Sequence, residues 1–273
     1  MVKKIACFFT CGYTEAGGMQ SFLKNINNHY NYIQFLPNKT IKKKGMPKNI
    51  SKDISGLTGK ALLNKIYKII AAHKDEIKKF SAIIIEDDLD GLFHRSDEDE
   101  INNHICTIIK EINVILEKDM PVFVIYASPE IESWFIADWK NSFEYIYLSS
   151  TIVKDLEYEE RKIFVYYLRK YINSYILKDC SDNIEEYGWF DDEYRKLSEE
   201  IQLAIRKNVK EEIIRSSKFR KELTLKIYQS KYLYYSKKLH GEKMLRNIDP
   251  SVVATKCRKY FFNTFNRLHY FNN

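Results

Sequence analysis

Four carboxylates directly follow an apolar run in the segment IIIEDDLDG (residues 83–91), namely Glu86, Asp87, Asp88 and Asp90. Like charges this close repel one another unless solvent or a bound cation relieves the repulsion. A solvated turn rich in Asp would have the same composition, so the segment alone leaves both interpretations open. We expect Asp88 and Asp90 to share a divalent cation, with the other two carboxylates supporting them or lying at the surface.

Two further acidic segments follow apolar runs in the first half of the chain. TCGYTE ends in Glu15, and ASPEIESW contains Glu130 and Glu132. Carboxylate oxygens suit Mg²⁺ or Mn²⁺, which bind a few carboxylates and keep several water ligands. Such an ion stabilises charge on a phosphoryl group and can activate water. Because one residue separates Glu130 from Glu132, we expect only one of them to face the site from a regular helix or strand.

The apolar runs have the length of buried strands, and segments of helical periodicity separate them. The predicted strands cover residues 4–9, 32–36, 82–85 and 122–126, and the predicted helices cover 14–26, 62–70 and 101–116. This alternation predicts an α/β fold with a compact, parallel four-stranded sheet, right-handed crossovers and flanking helices. Ligands bind at the carboxyl ends of the strands in such sheets, so the three acidic segments should meet at one edge.

Several alternative sites lack their sequence motifs. No GxGxxG follows the first strand, and the chain contains neither a GxxxxGK[ST] phosphate loop nor a GxSxG nucleophile turn. The absence of a glycine-rich phosphate loop argues against phosphoryl transfer to a small molecule. The five cysteines and six histidines are scattered without zinc-ligand spacing, which favours reduced thiols in a cytoplasmic protein. No apolar stretch approaches the roughly 20 residues needed to cross a bilayer, so no membrane partner is expected.

The charge distribution divides the chain. Residues 206–273 contain 17 Lys and Arg against 5 Asp and Glu, whereas the whole chain has a formal charge of only +7. After about residue 150 the strand-like runs become rare and helical periodicity dominates. We therefore predict an α/β domain at residues 1–149 and a basic, mostly helical region at residues 150–273. Basic segments interleaved with aromatic residues suit a nucleic-acid backbone, although solvated helix faces would have a similar composition.

The acidic motifs resemble those of the Toprim domain, which topoisomerases, primases and overcoming-lysogenization-defect nucleases share. The chain is more similar to a bacterial group of Toprim-like proteins with the pattern EGxTE, DxDG and PEIEAW. The corresponding segments here are CGYTE (residues 11–15), DLDG (88–91) and PEIESW (129–134). The run YYSKKLHGEKMLRNIDPSVVATKC near the carboxyl terminus is also similar to that group. One departure is important, since Cys11 occupies the position of the glutamate that acts as general acid or base in Toprim domains.

The resemblance implies a nuclease that depends on Mg²⁺ or Mn²⁺ and cleaves DNA or RNA, in a phage-defence or mobile-element setting and with an ATPase as a partner protein. Asp88 and Asp90 would bind the metal, with Glu15 as a third ligand. Glu15 or Glu132 would handle the proton, and Lys238 would offset negative charge in the transition state. Lys237 and the run of Lys42, Lys43 and Lys44 would contact nucleic acid.

Cys11 favours a second hypothesis, in which the chain is an inert nucleic-acid-binding or regulatory subunit of a complex that contains an ATPase. The sequence leaves the oligomeric state open, a homodimer included.

Overall fold

A four-stranded parallel sheet forms the centre of the amino-terminal half. The computed structural model describes residues 3–37, 56–89, 98–178, 180, 183–188, 195–216 and 221–271. The strands are β1 (Lys3–Phe8), β2 (Tyr30–Leu36), β3 (Ala82–Asp88) and β4 (Val122–Ala127), in the spatial order β2-β1-β3-β4. All neighbouring pairs are parallel. The predicted α/β class, the parallel sheet and the helical carboxyl-terminal region are therefore confirmed.

Helices cover both faces of the sheet. The connections contain α1 (Tyr13–Ile26), α2 (Gly59–Ala72), α3 (Lys74–Ile77) and α4 (Glu98–Leu116). Alternate side chains of each strand point to opposite faces. Ile83 and Ile85 join the cluster formed with α2 and α4, whereas Ile84 joins the cluster formed with α1. This alternation decides on which face each carboxylate at the end of β3 lies.

The helices that follow β4 form a layer on the α1 face of the sheet. Its helices are α5 (Glu132–Ala137), α6 (Tyr145–Leu148), α7 (Tyr158–Tyr171), α8 (Leu197–Leu203), α9 (Val209–Arg215), α10 (Lys221–Gln229), α11 (Glu242–Asn247), α12 (Pro250–Lys256) and α13 (Phe261–His269). π-Helical turns at Lys140–Glu144, Ile172–Ile176, Ala204–Asn208 and Lys237–Gly241 and a 3₁₀ turn at Ile184–Glu186 interrupt them. One hydrophobic cluster runs from the sheet into these helices. The change of architecture near residue 150 thus does not separate two cores.

Aromatic side chains join the sheet layer to the helical layer. The Trp134 ring of α5 is fully buried, with ring centroids 5.0 Å from Phe22 of α1 and 4.8 Å from Phe261 of α13. Such aromatic packing contributes roughly 0.5–1.5 kcal/mol per pair beyond the burial of area. These contacts pack α5 against α1 and α13.

Two glycines let α11 approach α1 closely. A Cβ atom at Gly17 would collide with the side chain of Glu242, and one at Gly18 with that of Leu245. Larger residues would push the helices apart, so this glycine pair fixes the position of α11 and of the π-helical turn that precedes it.

No helix within the described residues is long and apolar enough to span a membrane.

Candidate functional site

The first acidic residue of the site lies in the first turn of α1. Glu15 is 4% exposed, and its carboxylate lies directly over Gly12, where an added Cβ would collide with it. The preceding Cys11 is also buried, and its backbone N–H donates to the carbonyl of Leu57 at 3.3 Å. Within the CGYTE motif, Glu15 therefore supplies the carboxylate at this strand end, and Cys11 contributes packing.

Glu86, Asp87 and Asp88 belong to β3, which extends three residues beyond the predicted strand. Glu86 and Asp88 lie on the face of Ile84, toward the helical layer, whereas Asp87 lies on the opposite face. Asp87 accepts hydrogen bonds from the backbone N–H groups of Gly59, at the start of α2, at 2.8 Å and of Asp88 at 3.0 Å. Asp87 thus anchors α2 to the sheet, and Glu86 and Asp88 are the pair directed toward the site.

Glu130 and Glu132 both approach one ammonium group. Lys237 Nζ lies 2.9 Å from Glu132 Oε2 and 3.9 Å from Glu130 Oε2. The alternation expected within a regular helix or strand does not apply here, because Glu130 lies in the turn before α5 and outside any regular element. Tyr235 Oη donates to Glu132 Oε1 at 2.7 Å, and the N–H of Ser198 donates to Glu130 Oε2 at 3.0 Å.

The π-helical turn at Lys237–Gly241 carries the lysine into the cluster. Its position is fixed by α1, since Thr14 Oγ1 donates to the Lys237 carbonyl at 3.4 Å and a Cβ at Gly241 would collide with Thr14. Within the turn, His240 Nδ1 accepts the N–H of Ser236 at 3.3 Å. Burial lowers the pKa of His240 to about 4, which keeps the ring neutral for this role.

The two neighbouring lysines of the turn differ in their surroundings. Lys237 is the one that contacts the carboxylates, with about a third of its side chain exposed. Lys238 Nζ lies 5.1 Å from the centroid of the Tyr13 ring, at the exposed rim of the site. The structure therefore places Lys237 inside the site and Lys238 outside it, where a bound polyanion could reach it.

The cluster holds more negative than positive charge. Burial raises the pKa of Glu15 to about 7, although Lys237 opposes that shift. Burial also raises the pKa of Glu86 and of Asp88, and repulsion from Glu15 adds to both shifts. For Lys237, burial alone would lower the pKa, but the surrounding carboxylates outweigh it and the pKa is raised. One permanent cation thus faces several carboxylates that resist ionisation together.

Two carboxylate oxygens at the end of β3 lack a hydrogen-bond partner among the described residues. Thr10 donates to Glu86 Oε2 through both its N–H and its Oγ1, each at 3.1 Å, whereas Glu86 Oε1 and Asp88 Oδ1 are buried without a partner. Buried oxygens normally find a partner, and an unsatisfied one costs about 1–3 kcal/mol. The donor chemistry at this position fits a hard cation such as Mg²⁺.

The described residues do not by themselves form a complete metal site. No group of three or more His, Cys, Asp and Glu side chains in the described ranges could hold a metal ion as placed. The predicted ligand Asp90 and the predicted nucleic-acid contacts Lys42, Lys43 and Lys44 lie outside the described residues. The fit to a cation therefore rests on Glu86, Asp88 and the nearby Glu15.

The sequence predicts Glu86 only as a supporting or surface carboxylate and does not indicate Tyr235. The position of Glu86 inside the site could have been predicted, because it continues the alternation of Ile84 onto the same face of the strand. Tyr235 is buried beside Glu132, but nothing in the surrounding sequence distinguishes it from the other 19 tyrosines.

In comparisons with known proteins, the chain matches no family model, no curated protein and no solved structure.

Proposed function

We propose that this chain is a Toprim-like nuclease that hydrolyses nucleic-acid phosphodiesters with the help of Mg²⁺ or Mn²⁺. The observation that carries the proposal is the pair of buried oxygens of Glu86 and Asp88, at the carboxyl edge of a parallel sheet, that have no hydrogen-bond partner among the described residues. Ligands bind at this edge in open α/β sheets. A bound divalent cation would satisfy both oxygens and attract a phosphate group to the same place.

Each residue of the cluster has a role in this proposal. Asp88 and Glu86 would hold the cation, together with Glu15 and the predicted ligand Asp90. The cation would supply charge stabilisation and lower the pKa of a bound water. A carboxylate with a pKa of about 7, such as that of Glu15, is suited to accept a proton from water near neutral pH. The ammonium of Lys237 would offset negative charge on the phosphoryl group.

The surface charge supports a polyanionic substrate. Residues 206–273 carry a net charge of +12, and Lys238 lies exposed at the rim of the site. Lys42, Lys43 and Lys44 would extend these backbone contacts. A partner ATPase and a role in phage defence belong to the same proposal, because they follow from the resemblance in the motifs. The cytoplasmic location in this proposal follows from the scattered cysteines.

A second candidate function is nucleic-acid binding without catalysis. Two features favour it. Cys11 replaces the glutamate of the Toprim pattern, and the Lys237 ammonium neutralises part of the charge of the cluster. In that case the basic surface would be retained and the carboxylates would serve only to anchor the turn at Lys237–Gly241.

Cleavage assays with Asp88→Asn distinguish the two functions. The full chain is incubated with labelled single- and double-stranded DNA and RNA in Mg²⁺, Mn²⁺ or EDTA. The nuclease proposal expects metal-dependent cleavage that falls by at least roughly 100-fold in Asp88→Asn. Asp75→Asn is the matched control, since Asp75 is exposed on α3, before β3 begins. If no substrate is cut while native and variant chains bind nucleic acid equally, the binding function replaces the nuclease.

A further inference from the structure

We propose that the carboxylate cluster provides two cation positions and that the Lys237 ammonium permanently fills one of them, so that the chain binds a single divalent metal ion. Glu130 and Glu132 would hold the ammonium, and Glu86 and Asp88 would hold the metal. This inference rests on the metal site of the proposed function. It adds the number of metal ions and the division of the carboxylates between the two cations.

At the lysine position, both carboxylates already have a cation and a hydrogen-bond donor of the protein as partners. Glu132 contacts Lys237 Nζ through Oε2 and accepts the Tyr235 hydroxyl through Oε1. Glu130 Oε2 lies 3.9 Å from the same ammonium and accepts the N–H of Ser198. Each carboxylate thus lies near the ammonium and accepts one further hydrogen bond, which leaves it less capacity for a metal ion.

The backbone that carries the ammonium is fixed independently of these charges. Thr14 Oγ1 donates to the Lys237 carbonyl, and the turn packs on Thr14 through Gly241. The N–H of His240 donates to the Ser236 carbonyl at 2.9 Å, which closes the turn. Lys237 therefore starts from a backbone position that directs its side chain into the cluster, and a metal ion entering the Glu130–Glu132 position would have to displace it.

The position proposed for the metal ion, at Glu86 and Asp88, has oxygens without partners among the described residues. Glu86 is fully buried and directed into the cluster, yet its Oε1 has no hydrogen-bond partner among the described residues, and neither has Asp88 Oδ1. Asp88 and Glu15 also lie close enough to Glu86 to repel it. Glu132 Oε2 also lacks a hydrogen bond among the described residues, but the Lys237 ammonium lies 2.9 Å from it. Among the described residues, the buried carboxylate oxygens with neither a hydrogen bond nor an ion pair are thus those of Glu86 and Asp88 at the end of β3, and this is where an added cation would bind.

The consequence concerns how phosphoryl charge is stabilised. Two-metal hydrolases place ions about 3.5–4 Å apart, and the two ions stabilise the attacking and leaving oxygens. Here the carboxylates that could hold a second ion are committed to an ammonium, which is part of the chain and does not dissociate. Activity would then rise with metal concentration as for a single bound ion.

Manganese binding to the full chain tests the inference. Mn²⁺ stoichiometry is measured by calorimetry and by the loss of the free-ion resonance signal. We expect one Mn²⁺ per native chain and two per Lys237→Met chain, because the variant frees Glu130 and Glu132. Lys238→Met is the matched control and should still bind one ion, since Lys238 contacts the Tyr13 ring and not the carboxylates. Two ions on the native chain, no ion, or an unchanged single ion on Lys237→Met would each overturn the inference.

A second variant covers the case in which Lys237→Met does not fold. Glu132→Gln should retain one Mn²⁺ with an affinity within about threefold of the native value, whereas Asp88→Asn should lose the ion. Loss of the ion in Glu132→Gln would show that Glu132 is a metal ligand and would overturn the division. The proposed nuclease fails separately, if one Mn²⁺ binds as expected but no nucleic acid is cleaved.

Discussion

Two buried carboxylate arrangements in this molecule differ in how their oxygens are satisfied. Glu185, in the 3₁₀ turn, is fully buried and accepts the N–H groups of Lys259, Tyr260 and Phe261, where α13 begins. Glu86 is also fully buried, but only one of its oxygens is bonded and the other has no partner among the described residues. Both carboxylates have a raised pKa, mainly because burial disfavours the charged form.

The difference shows that burial and a raised pKa do not identify a functional acid. Glu185 replaces a helix cap, since three consecutive N–H groups that no helical carbonyl can accept are bonded to its side chain. Glu86 and Asp88 retain acceptor capacity that the described protein does not use. A binding site differs from a structural anchor in its unused hydrogen-bond acceptors, which here lie at a strand end next to a lysine.

The largest expected effect is on stability, at Glu185. Glu185→Ala would leave three N–H groups without their acceptor, and each unsatisfied buried donor costs about 1–3 kcal/mol. We expect the free energy of unfolding to fall by at least about 3 kcal/mol, as measured by urea denaturation. Mn²⁺ binding per folded chain should stay unchanged. Glu186→Ala is the matched control, because its ion pair with Lys259 is partly exposed and contributes at most about 1 kcal/mol. If Glu185→Ala and Glu186→Ala lose the same free energy of unfolding, the hydrogen bonds to Glu185 do not anchor the start of α13 as proposed.

The next effect is a pH dependence that belongs to the cluster. Because the pKa of Glu15 is raised to about 7 from 4.5, the folded chain binds more protons than the unfolded chain between these values. Stability must then fall as the pH rises through this window, by about 3 kcal/mol for a shift of this size. Glu15→Gln removes the titration, so in EDTA it should become more stable than the native chain at pH 8 and differ little at pH 5.

Thermal unfolding at the two pH values checks this expectation, with the exposed Glu199→Gln as the control. Adding Mg²⁺ should stabilise the native chain at pH 8 and much less at pH 5, where protons compete for the same oxygens. If Glu15→Gln and the native chain unfold at the same temperature at both pH values, the titration of Glu15 does not cause the pH dependence of stability. If Mg²⁺ has no effect at pH 8, the β3 end is not a metal site.

The sequence was sufficient to predict the sheet and much of the site. The apolar runs at residues 4–9 and 82–85 identify strands because both faces of β1 and β3 are buried. Parallel topology then brings Glu15, Asp88 and Glu132 to one edge without any knowledge of side-chain contacts. The three acidic segments do meet there, with Lys237 between them.

The remaining features depend on contacts between distant parts of the chain. Asp and Glu are rare in strands, so β3 was predicted to end at Ile85, but the bonds from Thr10 to Glu86 accompany three further strand residues. The position of Lys237 depends on the close approach of α11 to Gly17 and Gly18. Neither contact produces a periodic pattern of apolar residues in the sequence. The sequence therefore does not indicate that Lys237, and not Lys238, is the lysine inside the site.

The smallest expected effect concerns the contact that places Lys237. In Gly241→Ala the new Cβ would collide with Thr14, so the π-helical turn or α1 must shift, at a cost of about 1–3 kcal/mol. Thr14→Ala removes the Oγ1 and Cγ2 atoms from this contact. The double variant Gly241→Ala/Thr14→Ala should therefore lose less stability than the sum of the two single variants. Lys243→Ala, an exposed change two residues on, should change stability by less than about 0.5 kcal/mol.

The same double-mutant cycle separates the two cation positions. A shifted turn moves the ammonium away from Glu130 and Glu132 but leaves the Thr10 bonds to Glu86 intact. Mn²⁺ affinity at the β3 end should then change by less than about threefold in Gly241→Ala, while the affinity for nucleic acid falls. If Mn²⁺ affinity falls as steeply as in Asp88→Asn, the ammonium and the metal share their ligands, and the cluster is a single site whose carboxylates cannot be divided between two cations.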